Sequence, residues 1–188
     1  AEAGEIDGPW GSRRFFEGVG VGLFARTMAE VDAEESLAHL TTAESRIAHA
    51  RRLLHERIET WAPVPLRLTL DDRDLSGEYI MVEAMNIRFV GPNLFVAPGC
   101  DPTDGLFDLV RVSDSRREDL EQYLTDYRGP RASAPNLETC RGRHLRVEGH
   151  GLVLHVDDAT WPPAGEHHEP TDVAFDLRVE PGALKVLI

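Results

Sequence analysis

Residues 86–108 read Asn-Ile-Arg-Phe-Val-Gly-Pro-Asn-Leu-Phe-Val-Ala-Pro-Gly-Cys-Asp-Pro-Thr-Asp-Gly-Leu-Phe-Asp. Two apolar runs, Leu94 to Ala97 and Phe107 to Val112, flank Asp101-Pro102-Thr103-Asp104-Gly105. Pro102 presets one φ angle and Gly105 permits a positive one, so the pentapeptide is a tight turn between strands. Two readings fit it. It is a plain hairpin turn in which Asp104 bonds its own backbone, or it gathers carbonyls and the Asp104 carboxylate into the oxygen-only set that Mg²⁺ or Ca²⁺ takes.

Strand texture continues outward in both directions. Leu66, Leu68 and Leu70 alternate with Arg67 and Thr69, the pattern of a half-buried strand. Asp71 to Gly77 is a polar turn, and Tyr79 to Asn86 returns as the second arm of a hairpin. His144 to Glu148, Leu152 to Val156, Val173 to Val179 and Leu184 to Ile188 are further strands. Upstream, a short strand over Arg13 to Phe16 enters Gly18-Val19-Gly20-Val21-Gly22, whose glycines let the backbone approach something closely or turn sharply. With no Lys after it and no strand–helix context, this run is not a P-loop.

Helical spacing enters twice. From about Glu34 to Trp61, Leu37, Leu40, Ile47, Leu54, Ile58 and Trp61 recur on one face. A Thr-x-x-Glu capping box at Thr41 to Glu44 allows two helices there, and Pro63 and Pro65 end the segment. A second box, Ser115 to Glu118, precedes an apolar face of Leu120, Tyr123, Leu124 and Tyr127. The expected fold is therefore α+β, mainly an antiparallel β-sandwich or partly closed barrel with two helical interruptions. Residues 1–12 are expected to be loose and residues 13–188 to form one domain.

Composition narrows the function. A 41% hydrophobic content supports a real core across 188 residues. The net charge is −13, with Lys185 the sole lysine, so long-range electrostatics draw the chain neither to nucleic acid nor to an anionic membrane. That acidity suits a salt-rich cytoplasm as well as an ordinary acidic surface. Cys100 and Cys140 match no disulfide framework or metal spacing and read as reduced thiols. No apolar run approaches the roughly 18 to 20 residues of a membrane-spanning helix. Ala1 to Gly8 shows no signal-peptide pattern, and the expected location is cytoplasmic.

Asn86, Gly91, Ala97-Pro98, Asp104-Gly105-Leu106 and Asp108 fall in an order and spacing that resembles the diacylglycerol kinase family of lipid kinases, which includes sphingosine kinases. Phe15 to Gly22 resembles the Gly-rich strand that opens that family's second half, and Val179 to Val186 its closing strand. The resemblance covers nearly the whole chain, with only the central motif sharp. It implies the carboxyl-terminal, lipid-facing domain of an ATP-dependent kinase acting on a lipid hydroxyl such as that of diacylglycerol. The expected cofactors are Mg²⁺ and ATP, with ATP bound mainly by an amino-terminal half. Nothing like that half's Gly-Gly-Asp-Gly-Thr loop precedes Glu17, so the expectation is a fragment of a longer protein.

Site residues follow from the same resemblance. Asp104, with the carbonyls of Asp101 and Leu106, would hold a structural Mg²⁺, while Asn86 and Gly91 would shape the cleft. The family's late Asp-Gly-Glu turn, whose Glu accepts the hydroxyl proton, corresponds to Asp157-Asp158-Ala159 or, one residue on, to Thr160. The Glu is missing, which leaves Asp157 or Asp158 as proton acceptor. The resemblance also implies peripheral contact at the inner membrane face and a homodimer. The rival expectation is a non-catalytic binding module that kept the fold and lost the chemistry. His155, Asp157, Asp158, His167 and His168 match no standard zinc spacing. Trp161 to Pro170 reads as a solvated loop, and no hydrolase motif is present.

Overall fold

The computed structural model describes residues 2–33, 42–127, 133–163, 165 and 169–183. Thr41, His167, His168 and the expected strand Leu184 to Ile188 lie outside them, as does the first part of the helix expected from Glu34.

In chain order the elements are β1 (Ala3–Gly8), β2 (Gly11–Phe15), β3 (Gly18–Gly22), α1 (Leu23–Ala33), α2 (Ala43–Ile58), β4 (Val64–Leu70), β5 (Arg73–Asp74), β6 (Gly77–Met85), β7 (Phe89–Val90), β8 (Leu94–Phe95), β9 (Phe107–Ser113), α3 (Arg117–Asp126), β10 (Glu138–Gly142), β11 (His144–His150), β12 (Leu154–Val156), β13 (Ala159–Trp161) and β14 (Asp172–Glu180). The pairings of the main sheet are antiparallel, and it runs β13-β12-β3-β6-β4-β11-β14-β1-β2, with β9 and β10 added beyond β6. β4 closes the curl because its start pairs with β6 and its end with β11. The helices enter at two places, between β3 and β4 and between β9 and β10, as the α+β sandwich reading anticipates.

Two apolar cores follow. Ile6, Phe15, Leu68, Phe107, Leu145 and Phe175 fill the inside of the curl. Leu54, Ile58, Leu120 and Tyr123 of the helices cover Ile80, Met85 and Val110 on its outer face. β6 lies between these layers, so Tyr79 to Met85 are all buried and period-two alternation of exposure is lost, as for a strand covered on both faces. A bulge between Tyr79 and Met81 shifts its register against β9.

Several expectations are corrected. The opening is not loose: β1 lies between β14 and β2, with Ala3 and Ile6 fully buried. Strand residues so rich in Gly and acid carry little propensity, and the sheet supplies what the sequence lacks. α1 stands where the pattern predicts no element, begun where Gly22 turns the chain at φ +96°. The cap of α2 is Thr42, whose hydroxyl accepts from the Ser45 N–H. Ser115 does not cap α3; it lies in a 3-10 turn, its hydroxyl against that of Ser113. Trp161, expected in a loop, ends β13 and packs on Trp10.

Candidate functional site

Three of the singled-out segments converge on the turn between β2 and β3. Asn86, buried at the end of β6, donates from Nδ2 to the carbonyls of Phe16 (3.0 Å) and Glu2 (3.2 Å), and its N–H reaches the Glu17 carbonyl (2.8 Å). Glu2 then carries the connection to the Asp101–Leu106 turn. Its N–H donates to the Pro102 carbonyl, and its carboxylate accepts the Gly105 N–H at 2.7 and 2.9 Å. From the other side, the Asp157 carboxylate accepts the N–H groups of Phe16, Glu17 and Gly18 at 2.8–3.1 Å. Asn86 thus fastens the β2–β3 turn to the start of the chain at Glu2.

The two aspartates of the late turn do different things. Asp157 has φ +52° and fills a nest of three successive N–H groups, so its carboxylate is committed to holding the β2–β3 turn. Asp158 is exposed beside it. Burial pushes the Asp32 carboxyl up, and the nearby Asp158 charge adds to this. Asp32, near the end of α1, therefore feels the Asp158 charge, a proximity that no sequence motif signals.

Below this turn, strand register explains the Gly-Val-Gly-Val-Gly run. His155 on β12, Gly20 on β3 and Glu83 on β6 are direct cross-strand neighbours. With no side chain on Gly20, His155 Nε2 and Glu83 Oε2 meet above it at 2.7 Å; a Cβ there would lie 1.9 Å from Glu83 Oε2. Both groups are buried, at 2% and 0% exposure. His155 Nδ1 lies 3.0 Å from the Asp157 carbonyl, which can only accept, so that nitrogen carries a proton. Burial alone would lower the His155 pKa; the Glu83 carboxylate and both hydrogen bonds overcome it and hold the imidazole above its ordinary value. Glu83 Oε1 has no hydrogen-bond partner among the described residues. Phe24 packs edge-on against the His155 ring at 4.9 Å. Gly91, at φ +48°, sits where a Cβ would be 2.0 Å from the Phe24 ring, so its missing side chain makes room for that ring.

In the expected cation turn both carboxylate oxygens of Asp104 are already engaged. Asp104 Oδ1 accepts the Leu106 N–H (3.0 Å), Oδ2 pairs with Arg141 Nη2 (2.6 Å), and the Asp101 carbonyl takes the Asp104 N–H (3.4 Å). Asp101 Oδ1 is held by the hydroxyl and N–H of Thr103, and the hydroxyl bond leads the effects lowering its pKa. Among the described residues no group of three His, Cys, Asp or Glu side chains could hold a metal ion. The residues present do not fit a Mg²⁺ anchored on Asp104, because a guanidinium already neutralises it. Burial pushes the Cys100 thiol up to about 12, so it is no nucleophile.

A groove of about 730 Å³ lies elsewhere, where β4 crosses the curl, lined in part by Arg67, Glu78, His150 and Asp172. It shares no residue with the converging segments. Openness alone does not make a site, and the hydrogen-bonded convergence carries the assignment instead. No helix among the described residues is long and apolar enough to cross a membrane.

Comparison with known proteins places the chain in a family. Residues 19–188 match the family described as the YegS C-terminal NAD kinase beta sandwich-like domain. Curated diacylglycerol kinases of Mycobacterium tuberculosis, strains CDC 1551 / Oshkosh and ATCC 25618 / H37Rv, are each 30% identical over 127 residues, 66% of this chain and 38% of theirs. A crystal structure of a diacylglycerol kinase from Bacillus anthracis str. Sterne superposes with TM-score 0.56 at 15% identity, covering 95% of this chain and 53% of that one. The chain thus spans well under two thirds of the length of these relatives.

Proposed function

The chain belongs to the family of the YegS C-terminal NAD kinase beta sandwich-like domain, and from that premise we propose that it is the lipid-facing domain of an ATP-dependent lipid kinase whose acceptor is a hydroxyl such as that of diacylglycerol. The observation that carries this reading is the joining of Asn86, the Asp101–Leu106 turn and the Asp157–Asp158 turn through one short hydrogen-bonded network.

In this reading the acceptor hydroxyl oxygen attacks the γ-phosphorus of ATP, the bond to the β-phosphate oxygen breaks, and ADP leaves with that electron pair. The hydroxyl proton passes to Asp158. Asp157 is a positioning residue, since its carboxylate is filled by backbone N–H groups. The nucleotide is held by a further half of the full-length protein. The lipid is met by peripheral contact at a membrane surface, and a homodimer is compatible with the reading.

A second reading, a binding module without chemistry, is favoured by one observation: Ala159, or Thr160 one residue on, stands where the resemblance puts the family's Glu. Labelled-phosphate transfer from ATP to a panel of lipids by the full-length protein separates them. Transfer to diacylglycerol or a relative supports the kinase. No transfer to any lipid, from a folded protein that still binds ATP, supports the module.

A further inference from the structure

We infer that the Arg141 guanidinium is the resident cation of the Asp101–Leu106 turn and makes this part of the wall independent of divalent ions. Arg141 lies on β10 directly across from Asp108 on β9. Its Nε reaches Asp108 Oδ2 (3.3 Å), and its Nη2 reaches both Asp104 Oδ2 (2.6 Å) and the Gly99 carbonyl (3.1 Å). Two carboxylates and a carbonyl form the all-oxygen environment a hard cation takes. Here a planar fork with several donors takes it, which a point charge cannot copy.

The need for a positive charge is clear from burial. The Asp108 side chain is 4% exposed, and a buried carboxylate needs a counter-charge; the Asp104 side chain, 26% exposed, brings a second negative charge to the same guanidinium. Arg88 adds a second guanidinium, its Nε on the Cys100 carbonyl at 3.1 Å. A divalent ion on Asp104 Oδ2 would stand within a few ångströms of Arg141, and like charges at that range repel. Arg141 therefore excludes the ion as well as replacing it. This inference does not depend on whether the full-length protein phosphorylates lipid.

Thermal unfolding of this chain in EDTA and in millimolar Mg²⁺ tests it. The wild-type midpoint is the same in both. Arg141→Ala lowers the midpoint by roughly 5–10 °C in EDTA, from the uncompensated carboxylates, and part of that loss returns with Mg²⁺ through Asp104. If Arg141→Ala does not fold, Arg141→Lys serves: it is destabilised to a smaller degree and stays insensitive to Mg²⁺. A wild-type midpoint that rises with Mg²⁺, in a way abolished by Asp104→Asn, overturns the inference. So does an Arg141→Ala midpoint equal to that of wild type in EDTA.

Discussion

Asn86 and Asp157, 71 residues apart, hold the same residue from opposite sides: Asn86 Nδ2 donates to the Phe16 carbonyl, and the Asp157 carboxylate accepts the Phe16 N–H. The β2–β3 turn is therefore fixed by side chains from two distant strands. Phe16, 43% exposed, is the large apolar side chain that the turn presents to solvent.

Removing the Asp157 carboxylate strands three N–H groups. Hydrogen bonds to a charged group contribute about 1.5–3 kcal/mol each in favourable settings, and partial exposure here lets water recover much of that. Asp157→Ala should cost about 2–3 kcal/mol in urea unfolding, while Asp158→Ala, at an exposed position, should stay within about 0.5 kcal/mol of wild type. Equal losses for the two would contradict the division of roles drawn here.

Gly20→Ala should be among the most damaging single substitutions in β3. The new methyl would meet Glu83 Oε2 at 1.9 Å and push the buried pair apart. Overpacking costs about 1–3 kcal/mol and a broken buried ion pair about 3–5, so a loss of more than about 3 kcal/mol is expected. Gly18→Ala, next to backbone and Met85 rather than to a carboxylate, is the comparison. A mild Gly20→Ala would mean that the pair rearranges freely.

Stability should depend on pH through His155. Its folded pKa is raised above the unfolded value, so its contribution is fully present below the ordinary histidine range and is lost as pH rises through the folded value. Unfolding free energy followed upward from pH about 6 should decline on the alkaline side, and His155→Gln should remove that decline. A His155 resonance that titrates below the ordinary value would overturn the assignment.

Deleting residues 1–8 should abolish stable folding, because β1 is an interior strand and Glu2 caps the Gly105 turn. Circular dichroism of the shortened chain checks this; a native-like spectrum with an unchanged midpoint would show that β1 can be spared.

The sequence disclosed the strand texture, the helical insertions and the motif segments, because period-two and helix-period apolar spacing survive wherever one face is wet. β6 still read as a strand from its length and residue types. The sequence did not disclose β1 or β10, whose polar residues are strands only through their neighbours. Nor did it disclose Arg141, whose partners Asp104 and Asp108 come from another part of the chain. Glu83 left a faint signal, a lone charge inside the apolar run Tyr79 to Met85, but its partner His155 depends on a register that no single sequence fixes. Asp157 and Asp158 were legible as a pair, and only the backbone nest of residues 16–18 separates the holder from the free carboxylate.

Turnover of labelled ATP and diacylglycerol by the full-length protein, with Asp158→Asn beside wild type, is the decisive measurement. Wild type should transfer phosphate to the lipid, and Asp158→Asn should lower kcat by about 100-fold or more, the usual contribution of a positioned base, with KM and thermal midpoint unchanged. Transfer by Asp158→Asn at the wild-type rate would contradict Asp158 as proton acceptor. Absence of transfer by a folded, ATP-binding wild-type protein would contradict the kinase itself.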